Sequence, residues 1–157
     1  MNKWFKISKE EIEFSQTAVR NELDNSIPDE LIENVNALVE NIWFPMRVKY
    51  GSVIHISSGF RGKKLNKLIG GAVSSQHCKG QAFDLVCNDM KKLLSICLNL
   101  NYDQLIIEDL KEDGSFKWLH ISFDRDKDKQ RKDLLIMKRV KGKTVYERVN
   151  KEYALSI

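Results

Sequence analysis

Residues 74–84 read SSQHCKGQAFD and place one of the chain's three histidines seven residues before an aspartate, with Gly80 and Ala82 between them. A histidine and a carboxylate at close spacing around a glycine are typical of a metal site. Two side chains do not hold a metal ion, so the rest of the chain has to supply further ligands. The remaining histidines are His55 and His120.

The composition predicts one soluble globular domain spanning residues 1–157. The chain is 42% hydrophobic and 31% charged, and its formal net charge is +4. It has no run of roughly 20 apolar residues that would make a membrane helix. The N-terminal MNKWFKISKEEIEF lacks the apolar run of a signal peptide. We therefore expect a monomer that is made in the cytoplasm and does not contact a membrane.

The roles of the cysteines and of the basic residues each have two interpretations. Cys78, Cys87 and Cys97 match no CxxC metal spacing and are interpreted as free thiols, although Cys78 could be a nucleophile if it had its own base. Basic residues gather in 124–133 and 137–143, where acids are interleaved with them. This pattern is typical of a solvated surface, and an encounter with an anionic polymer, nucleic acid or cell wall, is the alternative.

Hydrophobic periodicity predicts helices first and antiparallel strands later, which is an α+β fold. An apolar stripe over residues 8–23 is broken by Asp24, and a second helix opens at Pro28, is kinked or ended by Pro45 and exits at Gly51. The further predicted elements are strand 53–60, helix 61–71, strand 81–86, helix 89–100, strands 103–109 and 117–123, and a hairpin over 133–149 that turns at 141–143.

Strand alternation predicts the neighbour of His120. The stretch WLHISF, residues 118–123, leaves His120 on the face away from the core, and residues 103–109 leave Glu108 on that same face. Pairing core face with core face puts Glu108 directly across from His120 or one pair away. A two-residue turn at Asp113–Gly114 would put Glu108 and His120 on opposite faces of the sheet, so we predict a loop of three or five residues.

His77, Asp84 and His120 therefore form a candidate triad with Glu108 beside it. Two imidazoles and one carboxylate with an open fourth position suit a catalytic zinc, which lowers the pKa of its water to about 7. A glutamate that is not a ligand can take the proton and pass it to a leaving amine, which predicts peptide-bond hydrolysis. Taken singly, His77 could be a loop or capping residue and Asp84 could end a strand.

The chain resembles the zinc D-alanyl-D-alanine peptidases, which share a fold with the Hedgehog signalling domain. SQHCKGQAFD, residues 75–84, is similar to their SxHxxGxAxD motif, and WLHIS is similar to their later histidine motif. The resemblance to the phage and prophage branch spans residues 10–125 in the same order. It implies N-terminal helices packed on a small antiparallel sheet, followed by a C-terminal hairpin extension at 126–157.

The resemblance also implies roles for individual residues. It gives zinc as the cofactor, with His77, Asp84 and His120 as ligands. Arg61, in SGFR, would contact a substrate carbonyl or carboxylate and stabilise an oxyanion, with a surface residue that opens a helix as the alternative. Two further residues, Ser75 and Gln76, would shape the ligand loop or bind substrate.

One position departs from the family pattern. Many members carry the catalytic acid three residues before the final zinc histidine, where this chain has Lys117. The role therefore passes to Glu108, with Asp109 as the alternative even though its side chain should point to the core side. His55 has no position in the motifs and is predicted to be a structural residue near the site.

The predicted function is a zinc peptidase that cuts the stem peptide of peptidoglycan. The bond is either D-alanyl-D-alanine, cut by a carboxypeptidase, or L-alanyl-D-glutamate, cut by an endopeptidase. The protein would act on the bacterial cell wall after release, as a phage or prophage endolysin, and not on nucleic acid. The alternatives are a non-catalytic phage virion or wall-binding protein with a structural zinc, and a nucleic-acid enzyme with salt-dependent DNA affinity.

Overall fold

The computed structural model describes residues 7–157, so part of the N-terminal segment in which we looked for a signal peptide lies outside the described residues. Over residues 7–157, none of the helices combines the length and the apolar character needed to cross a membrane. The fold is α+β, as predicted. The prediction of a single domain over residues 1–157 stays a prediction.

The helices and strands follow one another in this order. The helices are α1 Lys9–Glu13, α2 Gln16–Arg20, α3 Ile32–Leu38, α4 Phe44–Tyr50, α5 Lys63–Leu68, α6 Met90–Cys97 and α7 Lys151–Ser156. The strands are β1 His55–Ser58, β2 Ala82–Val86, β3 Gln104–Glu108, β4 Trp118–Ser122, β5 Asp133–Val140 and β6 Lys143–Arg148. Short 3-10 turns cover Asp29–Leu31, Gln76–Lys79 and Lys127–Lys129.

The first apolar stripe forms two short helices. Ser8 caps α1 through a reciprocal pair of hydrogen bonds with Glu11, and the hydroxyl of Ser15 accepts from the backbone N–H of Ala18 at the start of α2. A capping serine in the middle of the stripe satisfies helix N–H groups that would otherwise lack partners, so the chain restarts there instead of continuing.

The second helix passes through Pro45, so the alternative that this proline ends the helix is wrong and the alternative that it kinks the helix stays a prediction. A π-helical turn at Val39–Trp43 joins α3 to α4, and the helix ends where Gly51 adopts φ 75°. Proline has no N–H to donate and its ring crowds the preceding turn, so a wider turn just before it lets the helix continue. The helix then buries one stripe of side chains against the sheet: Val35, Leu38, Ile42 and Met46.

The sheet has six strands in the order β1-β2-β4-β3-β5-β6. All neighbouring pairs are antiparallel except β3 and β5, which run parallel. The prediction of an antiparallel sheet is therefore wrong at this pair. The predicted C-terminal hairpin is confirmed as β5 and β6 with its turn at Lys141–Gly142, and it extends the same sheet beyond β3.

The β3–β4 register puts Glu108 and His120 on the same face of the sheet, as predicted. Ile106 pairs with His120 and Glu108 pairs with Trp118, so Glu108 lies one pair away from His120. The loop is longer than predicted, because nine residues separate the strands. The Leu110 N–H donates to Met137 on β5 at 2.9 Å, which draws the chain away from β4 before the turn at Gly114.

The two faces of the sheet differ in character. Phe83, Leu85, Leu105, Ile107, Leu119 and Ile121 are fully buried against the helices. The alternate residues of the same strands lie on the other face: Asp84, Ile106, Glu108, Trp118 and His120. Met137 pairs with Tyr146, which brings the hairpin alongside this second face. The predicted functional side chains therefore share the face that the helices leave uncovered.

Candidate metal centre

Three neighbouring backbone segments bring the predicted ligands together. Asp84 on β2 and His120 on β4 are direct antiparallel partners, and His77 lies on the 3-10 turn that precedes β2. The His77 Nε2 and His120 Nδ1 atoms lie 3.2 Å and 3.0 Å from Asp84 Oδ1, and 3.2 Å from each other. Among the described residues, these three form the cluster of His, Cys, Asp and Glu side chains that could hold a metal ion.

The orientation of His77 is set by a backbone carbonyl. Its Nδ1 lies 2.7 Å from the carbonyl oxygen of Gly59, which can only accept, so the ring proton sits on Nδ1 and Nε2 offers a lone pair. Gly59 is needed there because a Cβ on it would collide with the carbonyl oxygen of Ile12. Close contact between α1 and the end of β1 thus holds the acceptor that aims His77.

The electrostatics suit a bound cation. Burial raises the pKa of Asp84, but His77 and His120 outweigh it and hold that pKa below its usual value. Burial lowers the pKa of His77 and favours its neutral form. An ionised carboxylate and an imidazole lone pair therefore face each other across about 3 Å, an arrangement that a positive ion would stabilise.

The spacing also fits zinc. Tetrahedral ligands at 2.0–2.1 Å from zinc lie about 3.3 Å from one another. The three ligand atoms are separated by 3.0–3.2 Å, which is close to that value. Three protein ligands also leave a fourth position for water or substrate, as catalytic zinc sites do.

Glu108 lies in the same cleft as the three ligands and is not one of them. Glu108 is only 6% exposed, and its Oε2 has no hydrogen-bond partner among the described residues. Burial raises the pKa of Glu108 to about 7, with a further increase from Asp84 and Asp109 and an opposing effect of His120. A carboxyl group that titrates near neutrality can both accept and donate a proton there.

This raised pKa predicts a pH-dependent stability in the zinc-free protein. The unfolded chain loses the Glu108 proton near pH 4.5 and the folded chain keeps it until about pH 7, so Glu108 costs stability progressively across that window. Glu108→Gln should therefore gain stability over the wild type by up to about 3 kcal/mol between pH 4.5 and 7, with no further gain above. Denaturant unfolding at several pH values measures the difference.

The matched control for this experiment is Glu147→Gln on β6, since Glu147 is exposed and its ion pair with Lys138 is long, at 3.8 Å. A gain of the same size in Glu147→Gln would show that the effect does not come from the burial of Glu108. A flat curve for Glu108→Gln would mean that Glu108 ionises at the ordinary pKa of a glutamate.

Asp109 forms ion pairs with Lys117 and Lys111. The Lys117 Nζ lies 2.9 Å from Asp109 Oδ2, and Lys111 Nζ lies 2.8 Å from Asp109 Oδ1. Hydrogen bonds from these two lysines lower the pKa of Asp109 to about 2. An aspartate that is ionised and ion-paired in this way is a poor proton carrier, which favours Glu108 over Asp109 as the base.

Arg61 lines two clefts, one of which contains the three candidate ligands. Its backbone N–H donates to the carbonyl of His77 at 3.2 Å, which ties it to the ligand turn. Its Nε is buried and has no hydrogen-bond partner within residues 7–157. A buried guanidinium N–H without a partner is a donor that a substrate oxygen could satisfy.

Of the remaining predicted residues, Gln76 and Ser75 lie beside the ligands and His55 does not belong to the cluster. Gln76 contacts His120, with its Oε1 3.4 Å from the ring Nε2, and Ser75 lines the cleft beside it. Their binding of substrate stays a prediction. His55 is exposed at the start of β1 and is not part of the ligand cluster.

The sequence analysis missed the C-terminal wall of the cleft. Arg131, Met137, Arg139, Thr144 and Tyr146 line it together with the ligands. A hairpin was predicted for all of these residues except Arg131, and its alternation puts Met137 and Tyr146 on one face. No local pattern indicates that β5 pairs with β3, however, so the sequence did not show which wall the hairpin would form.

Two clefts meet at the ligand cluster. One, of about 520 Å³, contains Glu108 and the three ligands, and the other, of about 560 Å³, runs past Phe14, Ile56 and Leu65. Both are lined by Arg61, Asp84 and Trp118. The candidate centre is therefore open on two sides.

Comparison with known proteins identifies the family of the chain. Residues 5–122 match the family model described as Peptidase M15. The matched range includes the three candidate ligands, Arg61 and Glu108, and it ends at the last residue of β4. Strands β5 and β6 lie beyond it. None of the curated proteins matches the chain.

Proposed function

Because the chain belongs to the peptidase M15 family, whose members are zinc-dependent, we propose that it hydrolyses a peptide bond in the stem peptide of bacterial peptidoglycan. The observation that carries this proposal is the meeting of three ligand atoms and a buried glutamate with a raised pKa in one cleft. Its place of action would be the bacterial cell wall after release, as an endolysin of a phage or prophage.

His77, Asp84 and His120 would hold the zinc. When bound, zinc makes a water molecule acidic enough to attack at neutral pH and polarises the carbonyl under attack. The contribution of the chain is to keep His77 neutral and aimed, through its burial and the Gly59 carbonyl, and to keep Asp84 ionised.

Glu108 and Arg61 would supply the other two functions. The Glu108 carboxylate takes the proton released by the attacking water and delivers it to the leaving amine, for which a pKa of about 7 is well matched. The Arg61 Nε–H donates to an oxygen of the substrate and stabilises the negative charge that develops there.

The charge of the cleft favours an acidic peptide. Arg61, Arg131 and Arg139 line it, and Arg139 has only a distant partner, with its Nε 3.8 Å from Asp109 Oδ1. Stem peptides carry free carboxylates, which arginine binds in a directional, often bidentate manner. The same contacts would disfavour a neutral peptide of similar length.

The two clefts favour an internal bond. A carboxypeptidase needs room for a chain on only one side of the bond it cuts, whereas an endopeptidase needs room on both. Because clefts of about 520 and 560 Å³ meet at Asp84 and Arg61, the substrate could extend in both directions. We therefore favour the L-alanyl-D-glutamate bond over the terminal D-alanyl-D-alanine bond.

Mass spectrometry of purified muropeptides incubated with the zinc-loaded protein tests this function. We expect release of a peptide that begins with D-glutamate, and no such product from Glu108→Gln run in parallel. Loss of a single alanine would identify a D,D-carboxypeptidase and overturn the preference for an internal bond. No product from muropeptides of either Gram type would instead favour a non-catalytic wall-binding protein.

A further inference from the structure

A chain of polar contacts runs from His120 away from the metal-facing side. The Nε2 of His120 lies 3.4 Å from Gln76 Oε1, and the Gln76 Nε2 donates to Asp103 Oδ2 at 2.6 Å. Asp103 in turn accepts from the guanidinium of Arg131, with Nη2 at 2.6 Å and Nε at 3.1 Å. Four side chains thus connect a candidate ligand to a residue outside the range that matches the family model.

The contacts allow only one orientation of the Gln76 amide. Arg131 and Gln76 lower the pKa of Asp103 and outweigh the effect of its burial, so its carboxylate is ionised and only accepts. The group of Gln76 that faces it must be the NH₂, which leaves the amide oxygen facing His120. That oxygen accepts only, so it favours the His120 tautomer with the proton on Nε2 and the lone pair on Nδ1. Without zinc, Asp84 Oδ1 competes for the proton at Nδ1, 3.0 Å away, so the contact with Gln76 acts fully only when Nδ1 binds the ion.

Asp103 is held firmly enough to act as the fixed point of this chain. Its side chain is only 2% exposed, and it also accepts from the backbone N–H of Arg131 at 2.7 Å. Its own backbone is bonded to Ser122 on one side and Asp133 on the other. These contacts are therefore anchored just before β3, where Asp103 lies between the end of β4 and the start of β5.

We propose that Arg131 and Asp103 are positioning residues for the zinc ligand His120 and act through Gln76 to fix its ring orientation and tautomer. This rests on the proposed function, because it takes His120 as a ligand. The zinc affinity of the centre then depends on residue 131, which lies nine positions beyond the family match. Partners of this kind typically change metal affinity or activity about 10–100-fold when they are removed.

The first test is the exchange of the ring N–H protons with water in the zinc-loaded protein. Because the chain has three histidines, a two-dimensional ¹⁵N–¹H spectrum of the imidazoles separates them all. We expect a slowly exchanging Nε2–H signal for His120, which faces Gln76, and a slowly exchanging Nδ1–H signal for His77, which faces Gly59 and serves as an internal reference. Arg131→Gln should speed the exchange of the His120 signal and leave the His77 signal unchanged.

The second test is zinc affinity, measured by competition with a chelator at pH 7.5. We expect Arg131→Gln to bind zinc about 10-fold more weakly and Gln76→Leu about 10–100-fold more weakly. The control is Arg148→Gln, which removes an arginine–aspartate pair between β6 and β5, to Asp133 at 2.7 Å, and leaves the Arg131–Asp103 pair and the weaker Arg131–Asp133 pair at 3.8 Å in place. Its affinity should stay within about 2-fold of the wild type.

The outcomes separate this proposal from the function it rests on. Unchanged exchange of the His120 Nε2–H and unchanged zinc affinity in both Arg131→Gln and Gln76→Leu would overturn the positioning role, even if the wild type binds zinc and is active. A wild type that binds no zinc would overturn the proposed function, while the side-chain amide signals of Gln76 would still report whether Arg131 and Asp103 hold Gln76 in place. If Arg131→Gln fails to fold, Gln76→Leu decides alone, since it leaves the Arg131–Asp103 pair in place.

Discussion

We expect Glu108→Gln to lower kcat on muropeptides by about 10²–10⁴-fold, the range that positioned proton transfer usually contributes, and to leave zinc affinity within a few-fold of the wild type. Glutamine has nearly the same shape but cannot take up a proton from water. Glu108 is not one of the ligand side chains, so the metal centre should survive the change. Steady-state kinetics and chelator competition measure the two effects separately.

Two controls sharpen this result. Glu147→Gln makes the same chemical change at an exposed position of β6 and should leave kcat unaltered. Asp109→Asn tests the alternative base and should keep most of the turnover, because Asp109 is ion-paired to Lys111 and Lys117. Full activity of Glu108→Gln together with an inactive Asp109→Asn would reverse the assignment of the base.

Asp84→Ala should weaken zinc binding by more than about 100-fold, because partners that only support a ligand already account for 10–100-fold. Activity should be lost with it. Asp84 is the carboxylate that both histidines approach, at 3.2 Å and 3.0 Å, and its removal leaves two neutral imidazoles to hold a divalent ion. Isothermal titration calorimetry measures the affinity, and a thermal melt with and without zinc measures the linked stabilisation.

The melt distinguishes a lost ligand from a lost fold. Zinc at 100 times its dissociation constant should stabilise the wild type by about 2.7 kcal/mol, and this gain should be absent in Asp84→Ala. Asp126→Ala, at an exposed turn, should keep the full gain. A zinc-dependent shift of equal size in Asp84→Ala would show that the ion binds elsewhere.

The ligands could be found from sequence because their positions follow local rules. Alternation on two neighbouring strands is enough to put Glu108 and His120 on one face, since a slip by one residue would expose the apolar side chains between them. The meeting of Asp84 with His120 needs one further pairing, β2 with β4, and the motif around His77 carries the resemblance that implies it.

The parts that could not be foreseen depend on contacts distant in sequence. The parallel pairing of β5 with β3 has no signature in either strand, so the antiparallel sheet was predicted throughout. The nine-residue loop arises because Leu110 bonds to Met137 on that same strand. Gln76 was predicted to shape the ligand loop or bind substrate, and its contact with Asp103 becomes visible only once residues 76 and 103 are adjacent.

The contacts behind His120 have a consequence for the order of events during synthesis. Ribosomes add residues from the N-terminus, so His77, Asp84 and His120 are all made before Arg131 and the strand that follows it. A nascent chain that has just passed Ser122 would carry the full ligand set without the support of the arginine. Zinc would therefore bind more weakly until Arg131 and β5 have been made.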